Sequence, residues 1–224
     1  MLRVGIPAGA DILIVLGCHL AYLAIINRLG DADAAAHGLG LQIEALSYLP
    51  GSAFAVAAAT MAGQFLGAGN PRRATRGVVA ACLVGGSIMT LAGTVFYFGG
   101  HVLTTFFTGN WHDPTGVYAA ALLRIVAVSA PSLAVTMILT GALRGAGDTV
   151  WPLVFTLAGL LCVRLPGACW MAWDTVPIPL LGLSLTGLGW GVAGAWCAMV
   201  ADVVLRSVLV LIRFEQGGWQ RVRV

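Results

Sequence analysis

The chain has 224 residues, of which 59% are hydrophobic and only 9% charged, with a formal net charge of +3 at pH 7 and a mean hydropathy of +0.92. A soluble domain carries about 25% charged residues, so the composition excludes the ordinary globular class, and a charge of this size implies no nucleic-acid partner. The apolar runs are continuous rather than alternating, which excludes a β-barrel and leaves an all-α integral membrane protein.

Six segments are long enough to meet the ~20 residues that a bilayer core demands. They cover 4–29, 34–66, 75–98, 115–143, 150–173 and 188–212. The first is too long and too weakly flanked for a cleavable signal peptide and is kept as a mature helix. No soluble domain separates the six, so 1–224 reads as one six-transmembrane-helix bundle with a short basic tail over 213–224.

The arginines orient the bundle. All twelve basic residues are arginine, and Arg3, the Arg72/Arg73/Arg76 cluster, Arg144 and the tail (Arg213, Arg221, Arg223) fall on one side if every segment spans. The opposite side holds Arg28 beside Asp31 and Asp33, then two loops without a basic residue, 99–114 and 174–187. The positive-inside rule therefore places both termini in the cytoplasm of a multi-pass inner-membrane protein. Trp111, Trp151, Trp173 and Trp219 suit the interfacial belt, and His37, His101 and His112 near the outer interface read as ordinary loop or helix-end residues.

Two of the arginine-side turns are alike: Gly67 and Gly69 lie in GAGN, Gly145 and Gly147 in GAGD. Glycine accepts the left-handed conformation that closes a helix, and Asn70 or Asp148 can cap the helix that follows. Pro50 and Gly51 interrupt the second segment and are expected to break or hinge it. The five cysteines lie in apolar runs without metal-like spacing and read as small packing residues; no metal site or cofactor is expected.

Charge within the spans carries the chemistry. Asp11 and His19 lie on the first segment, Glu44 on the second, Arg124 on the fourth, Arg164 on the fifth and Asp202 on the sixth. Ionisable groups in hydrocarbon cost a few kcal/mol or more, so they face a bundle interior or a wet cavity. His19 and Glu44 are equidistant from the first turn and share a depth, which makes them a candidate proton-exchanging pair. Arg124 and Arg164 share the outer half and need an anion, for which Glu44 is the protein's candidate. Asp202 and Arg206, four apart, read as a local ion pair. No nucleophile–base set or metal spacing points to an enzyme.

LRVGIPAGAD near the start, AAAHGLGLQIEALSYLPGSAFAVAAATMAGQFLGAGNPRRATR, ILTGALRGAGDTVWPLVF, VRLP and the closing WCAMVADVVLRSVLVLIRFEQGGW resemble the multidrug and toxic compound extrusion (MATE) transporters. The resemblance implies a two-lobe exporter of small organic cations or other xenobiotics, driven by inward Na+ or H+, and this chain looks like its second six-helix lobe. It implies a second six-helix lobe as partner, either another copy or a separate polypeptide, besides membrane lipids. Family branches carry an acid at the position of Val15, eight after Pro7, and another near Leu133; both are apolar here. Asp11 and Glu44 are the acids this chain offers instead. A lipid-linked oligosaccharide flippase and a non-transporting half-length remnant or assembly partner are the alternative readings.

Overall fold

With no water to satisfy it, a backbone in hydrocarbon closes its hydrogen bonds internally, and these apolar runs do so as helices. The computed structural model describes residues 2–178 and 183–221, and of residues 2–8, 10, 11, 178, 183 and 221 the backbone alone. In chain order the elements are α1 (Leu2–Asn27), α2 (Asp31–Gly67), α3 (Pro71–Thr108), α4 (Pro114–Ala127), α5 (Ala130–Gly145), α6 (Val150–Gly159), a π-helical turn (Leu160–Arg164) and α7 (Leu165–Ala172). An antiparallel hairpin follows, β1 (Thr175–Ile178) against β2 (Leu183–Thr186), with Val176 opposite Leu185. The chain then enters α8 (Gly191–Glu215) and a 3-10 turn (Gly218–Arg221).

The protein is an all-α, multi-pass membrane bundle carrying one small hairpin. Among the described residues four helices are long and apolar enough to cross a membrane, α2, α3, Val150–Ala172 and α8, and the α4–α5 pair makes a fifth if it counts as one span. Up to five of the six expected spans are thus found among the described residues; the first expected span falls on α1, of which Ile12–Asn27 is the apolar stretch described.

The fourth expected span divides into α4 and α5, bent by 59°. Pro131 explains the bend: it has no N–H, and its ring opposes the carbonyl of Ala127. The backbone N–H and hydroxyl of Ser129 both turn back to the Val126 carbonyl, at 2.9 and 2.8 Å. Expected loop 99–114 is likewise mostly helix, because α3 continues to Thr108 and ends on Gly109 in the left-handed conformation (φ 70°). At Pro50 and Gly51 there is no break; α2 runs through both as one helix.

The two glycine-rich turns close in the same way. Asn70 N–H reaches the Phe65 carbonyl and Asp148 N–H the Leu143 carbonyl, at 2.8 and 2.9 Å, with Gly69 (φ 68°) and Gly147 (φ 85°) left-handed. They then diverge. Asn70 Oδ1 accepts from Arg73 N–H (3.2 Å) and caps α3, whereas Asp148 Oδ2 accepts from Arg213 Nε (2.9 Å) on α8 and does not cap α6.

Packing falls into two main apolar clusters. One gathers Tyr22, Ile43, Leu122, Leu123 and Trp196; the other gathers Ala58, Val78, Leu139, Leu143, Val210 and Trp219. Trp219 is therefore not a belt residue: it is fully buried, its indole N–H donates to the Phe214 carbonyl (2.9 Å) and its ring stacks on Phe214 at 5.0 Å. Large apolar side chains such as Leu49, Leu83, Phe98 and Phe106 stay outside, as the apolar surface of a spanning bundle permits.

Small residues let α2 and α5 touch backbone to backbone. At Gly145 a Cβ would collide with the backbone of Ala59 on α2, which cannot swing aside. A Gly145→Val substitution is expected to destabilise the bundle by about 3 kcal/mol, the upper end for overpacking. Gly67→Ala, where a Cβ meets nothing within 4 Å, is expected to change stability by less than about 0.5 kcal/mol. Thermal melting of the purified protein in detergent compares the two.

Candidate functional site

One stripe of α2 turns inward: His37, Gly40, Ile43, Glu44, Ser47 and Gly51 are buried, at the spacing of a helix face. Glu44 is 4% exposed. Among the described residues no ion pair and no side-chain hydrogen bond reaches its carboxylate; Arg164 is the cation within electrostatic range of it. Ser47 spends its hydroxyl proton on the Glu44 carbonyl at 2.7 Å.

Arg164 arrives from the π-helical turn. Pro166 lacks the N–H that would continue the α-helical ladder, and the widened turn re-aims the side chain toward α8. There it meets Asp202, which is 0% exposed. Asp202 Oδ2 lies 2.9 Å from Arg164 Nε and 2.7 Å from Arg206 Nη2. The local pair expected between Asp202 and Arg206 is present, and Asp202 serves a second arginine as well. Gly159 makes room for this carboxylate, because a Cβ there would overlap Asp202 Oδ1. The Arg164 guanidinium also sits over the Tyr22 ring, 5.9 Å from its centroid.

Among the described residues four buried side-chain atoms lack a hydrogen bond: Tyr22 Oη, Arg164 Nε, Asp202 Oδ1 and Arg206 Nε. All belong to this one cluster. Beside it lies a cavity of ≈ 370 Å³, whose wall includes Val15, Ser52, Thr136, Arg144, Thr156 and Arg206. The ion cluster and the cavity thus share Arg206. The site can hold charge in a low-dielectric interior and present part of it to a solute-sized space.

The other sequence candidates are distributed differently. His19 is exposed, with Nδ1 3.1 Å from the Val15 carbonyl, and no hydrogen bond joins it to Glu44 among the described residues. Arg124 is exposed on α4 and stays out of the cluster. The Asp11 side chain lies outside the described residues. Pro50 and Gly51 sit one to two turns beyond Glu44 on α2, where a Cβ at Gly51 would meet the sulfurs of Met137 (2.7 Å) and Met89 (2.9 Å). Gly67 and Gly69, and Gly145 and Gly147, lie at the arginine-bearing turns.

Two residues escaped the sequence reading. His37 is no helix-end residue: it is 2% exposed, its ring lies 5.7 Å from Tyr22, and its Nδ1 accepts from Trp196 Nε1 at 3.1 Å. The signal was Trp196, a single indole N–H in an apolar run that needs an acceptor. Gly159 carries no signal at all until its neighbour Asp202 is known. Asp202→Asn is expected to cost about 3–5 kcal/mol, because it leaves two inward arginines without their carboxylate; the loss is read as a lower melting temperature in detergent.

The MatE family model matches residues 7–170, more than half of the chain. The probable multidrug resistance protein NorM of Thermotoga maritima is 28% identical over 222 residues, 99% of this chain and 44% of the relative. The probable multidrug resistance protein YpnP of Bacillus subtilis is 26% identical over 226 residues, 100% of this chain and 46% of the relative. The chain thus spans less than half the length of these curated relatives. A multidrug resistance MATE family transporter of the MOP superfamily in its outward-facing conformation superposes with a TM-score of 0.82 at 17% identity, covering 100% of this chain and 46% of that one. The family is a class of secondary transporters rather than enzymes. The chain belongs to the MatE family.

Proposed function

We propose that this chain is one lobe, the second, of a cation- or proton-coupled efflux antiporter that exports small organic cations or other xenobiotics from the cytoplasm. The observation that carries the reading is Glu44, 4% exposed within a membrane-spanning helix and without an ion-pair or hydrogen-bond partner among the described residues. A carboxylate so placed exchanges a proton or a Na+ at a large electrostatic gain or loss, which is what coupling requires. The multidrug resistance designation of the relatives supports the substrate class, and the cavity beside Arg206 supplies the solute space. Asp11, His19, Arg124 and Arg164 remain candidates for the same cleft, and Pro50 with Gly51 for a hinge that flexes as Glu44 changes charge.

Relatives about twice as long support pairing with a second lobe, another copy or a separate polypeptide. The arginines at the α2–α3 and α5–α6 turns and in α8 support an inner-membrane orientation with both termini cytoplasmic.

The test uses the protein purified from membranes in its own assembly and reconstituted in liposomes. An imposed H+ or Na+ gradient is expected to drive efflux of a fluorescent organic cation, and Glu44→Gln is expected to reduce the driven component to that of empty liposomes. Gradient-driven efflux unchanged in Glu44→Gln removes Glu44 as the coupling acid; the absence of gradient-driven transport by the wild type removes the antiporter reading.

A further inference from the structure

The buried charges on the three helices add up in a way that neither the coupling reading nor the family resemblance assigns. Two arginines, Arg164 and Arg206, face two carboxylates, Asp202 and Glu44, yet both arginines contact the same oxygen of Asp202 while Glu44 has none. Arg206 binds Asp202 well: Nη2 donates to Oδ2 at 2.7 Å from one turn along the same helix. Arg164 does not. Its Nε is 2.9 Å from Oδ2 but makes no hydrogen bond, and Asp202 Oδ1 is left unused. Arg164 is therefore the second, geometrically poor partner of a carboxylate that already has a good one, and a buried carboxylate without any partner lies within its electrostatic range.

We infer that Arg164 is an exchanging counter-ion, shared between Asp202 and Glu44. Asp202 keeps Arg206 when Arg164 leaves, so the departure strands no charge on α8. The π-helical turn at Leu160–Arg164 supplies the freedom: its backbone ladder is already widened ahead of Pro166, and such turns sit where a helix changes its winding. Gly159, one residue before that turn, lets Asp202 lie against α6 and so keeps one docking point fixed while the arginine swings. The guanidinium lies over the Tyr22 ring; among the described residues Cys18 on α1 and Tyr48 on α2 also sense the same charges. When Glu44 is charged it competes for Arg164, and when it is neutral Arg164 returns to Asp202. This rests on Glu44 changing charge, as the coupling reading holds, and it adds the mechanical step: the π turn moves with Arg164.

Double-mutant cycles on the melting temperature of the whole detergent-solubilised assembly test it without transport. Arg164→Gln is expected to be non-additive with Asp202→Asn and also with Glu44→Gln, by about 2–4 °C each, whereas Arg206→Gln is non-additive with Asp202→Asn alone. The signature of exchange is competition: the Arg164/Asp202 non-additivity grows in the Glu44→Gln background. Additive behaviour of Arg164 and Glu44, or an Arg164/Asp202 coupling that ignores the Glu44 background, overturns the inference. Arg164→Lys and Asp202→Glu, which keep the charges, replace the harsher variants if those do not fold, with the same expected pattern and the same overturning result. A protein that shows the competition but no gradient-driven efflux retains the exchange and loses the antiporter reading; the converse result separates them the other way.

Discussion

A carboxylate that no solvent reaches, on a helix in hydrocarbon, has to be answered by protein, and Asp202 is that constraint here. Two arginines answer it from two directions, one from its own helix and one from a turn whose α-helical winding Pro166 has disturbed. Much of the local architecture follows. The preceding helix carries glycine at the point of closest approach, the π turn aims an arginine inward, and Tyr22 offers its ring face to the guanidinium. None of these features is needed by a plain apolar bundle, in which well-packed apolar residues in place of a buried ion cluster are often no less stable.

Around that centre the helices are held by two different means. On the α2, α3 and α5 side, contact is close and dry, with backbone against backbone at small residues. On the α7–α8 side aromatic and polar anchors join the close approach of Gly194 to the Met171 backbone, as where Trp196 gives its indole proton to His37 across the bundle (3.1 Å). Association of helices in lipid draws on packing and on hydrogen bonds between helices, and the two sides combine them differently. The ion cluster lies between them, level with the change from the Trp196 core to the Trp219 core along α8.

Legibility in the sequence followed the range of the physics. Composition and hydropathy are local sums, so the membrane class and the main helical stretches could be read directly. The GAG turns were legible because left-handed glycine closure is a property of a few adjacent residues, and both turns adopt it. The bend within the fourth expected span was not, because a kink at Pro131 depends on what packs around it, and hydropathy across α4 and α5 is unbroken. Depth matching named Glu44 and Arg164 as buried charges but also offered His19, since distance along a helix says nothing of azimuth. His19 points outward while His37, with a more peripheral address in the sequence, points in. Asp202 illustrates the same limit: the i, i+4 partner was readable, and the partner from another helix was not.

The last turn of the chain ties distant elements into one piece. Trp219 is clamped on Phe214, Gln220 Nε2 donates to Thr75 Oγ1 at the start of α3 (3.1 Å), and Arg213 holds Asp148 in the α5–α6 turn (2.8 Å). Three helix ends on the arginine-rich side are thereby riveted into a plate. The opposite rim is tied by other means, with Trp173 Nε1 donating to the Ile25 carbonyl (3.2 Å) and Arg28 lying over the Trp173 ring. The final ten residues of α8 and the turn behind it are thus the common member of the ties on the arginine-rich side.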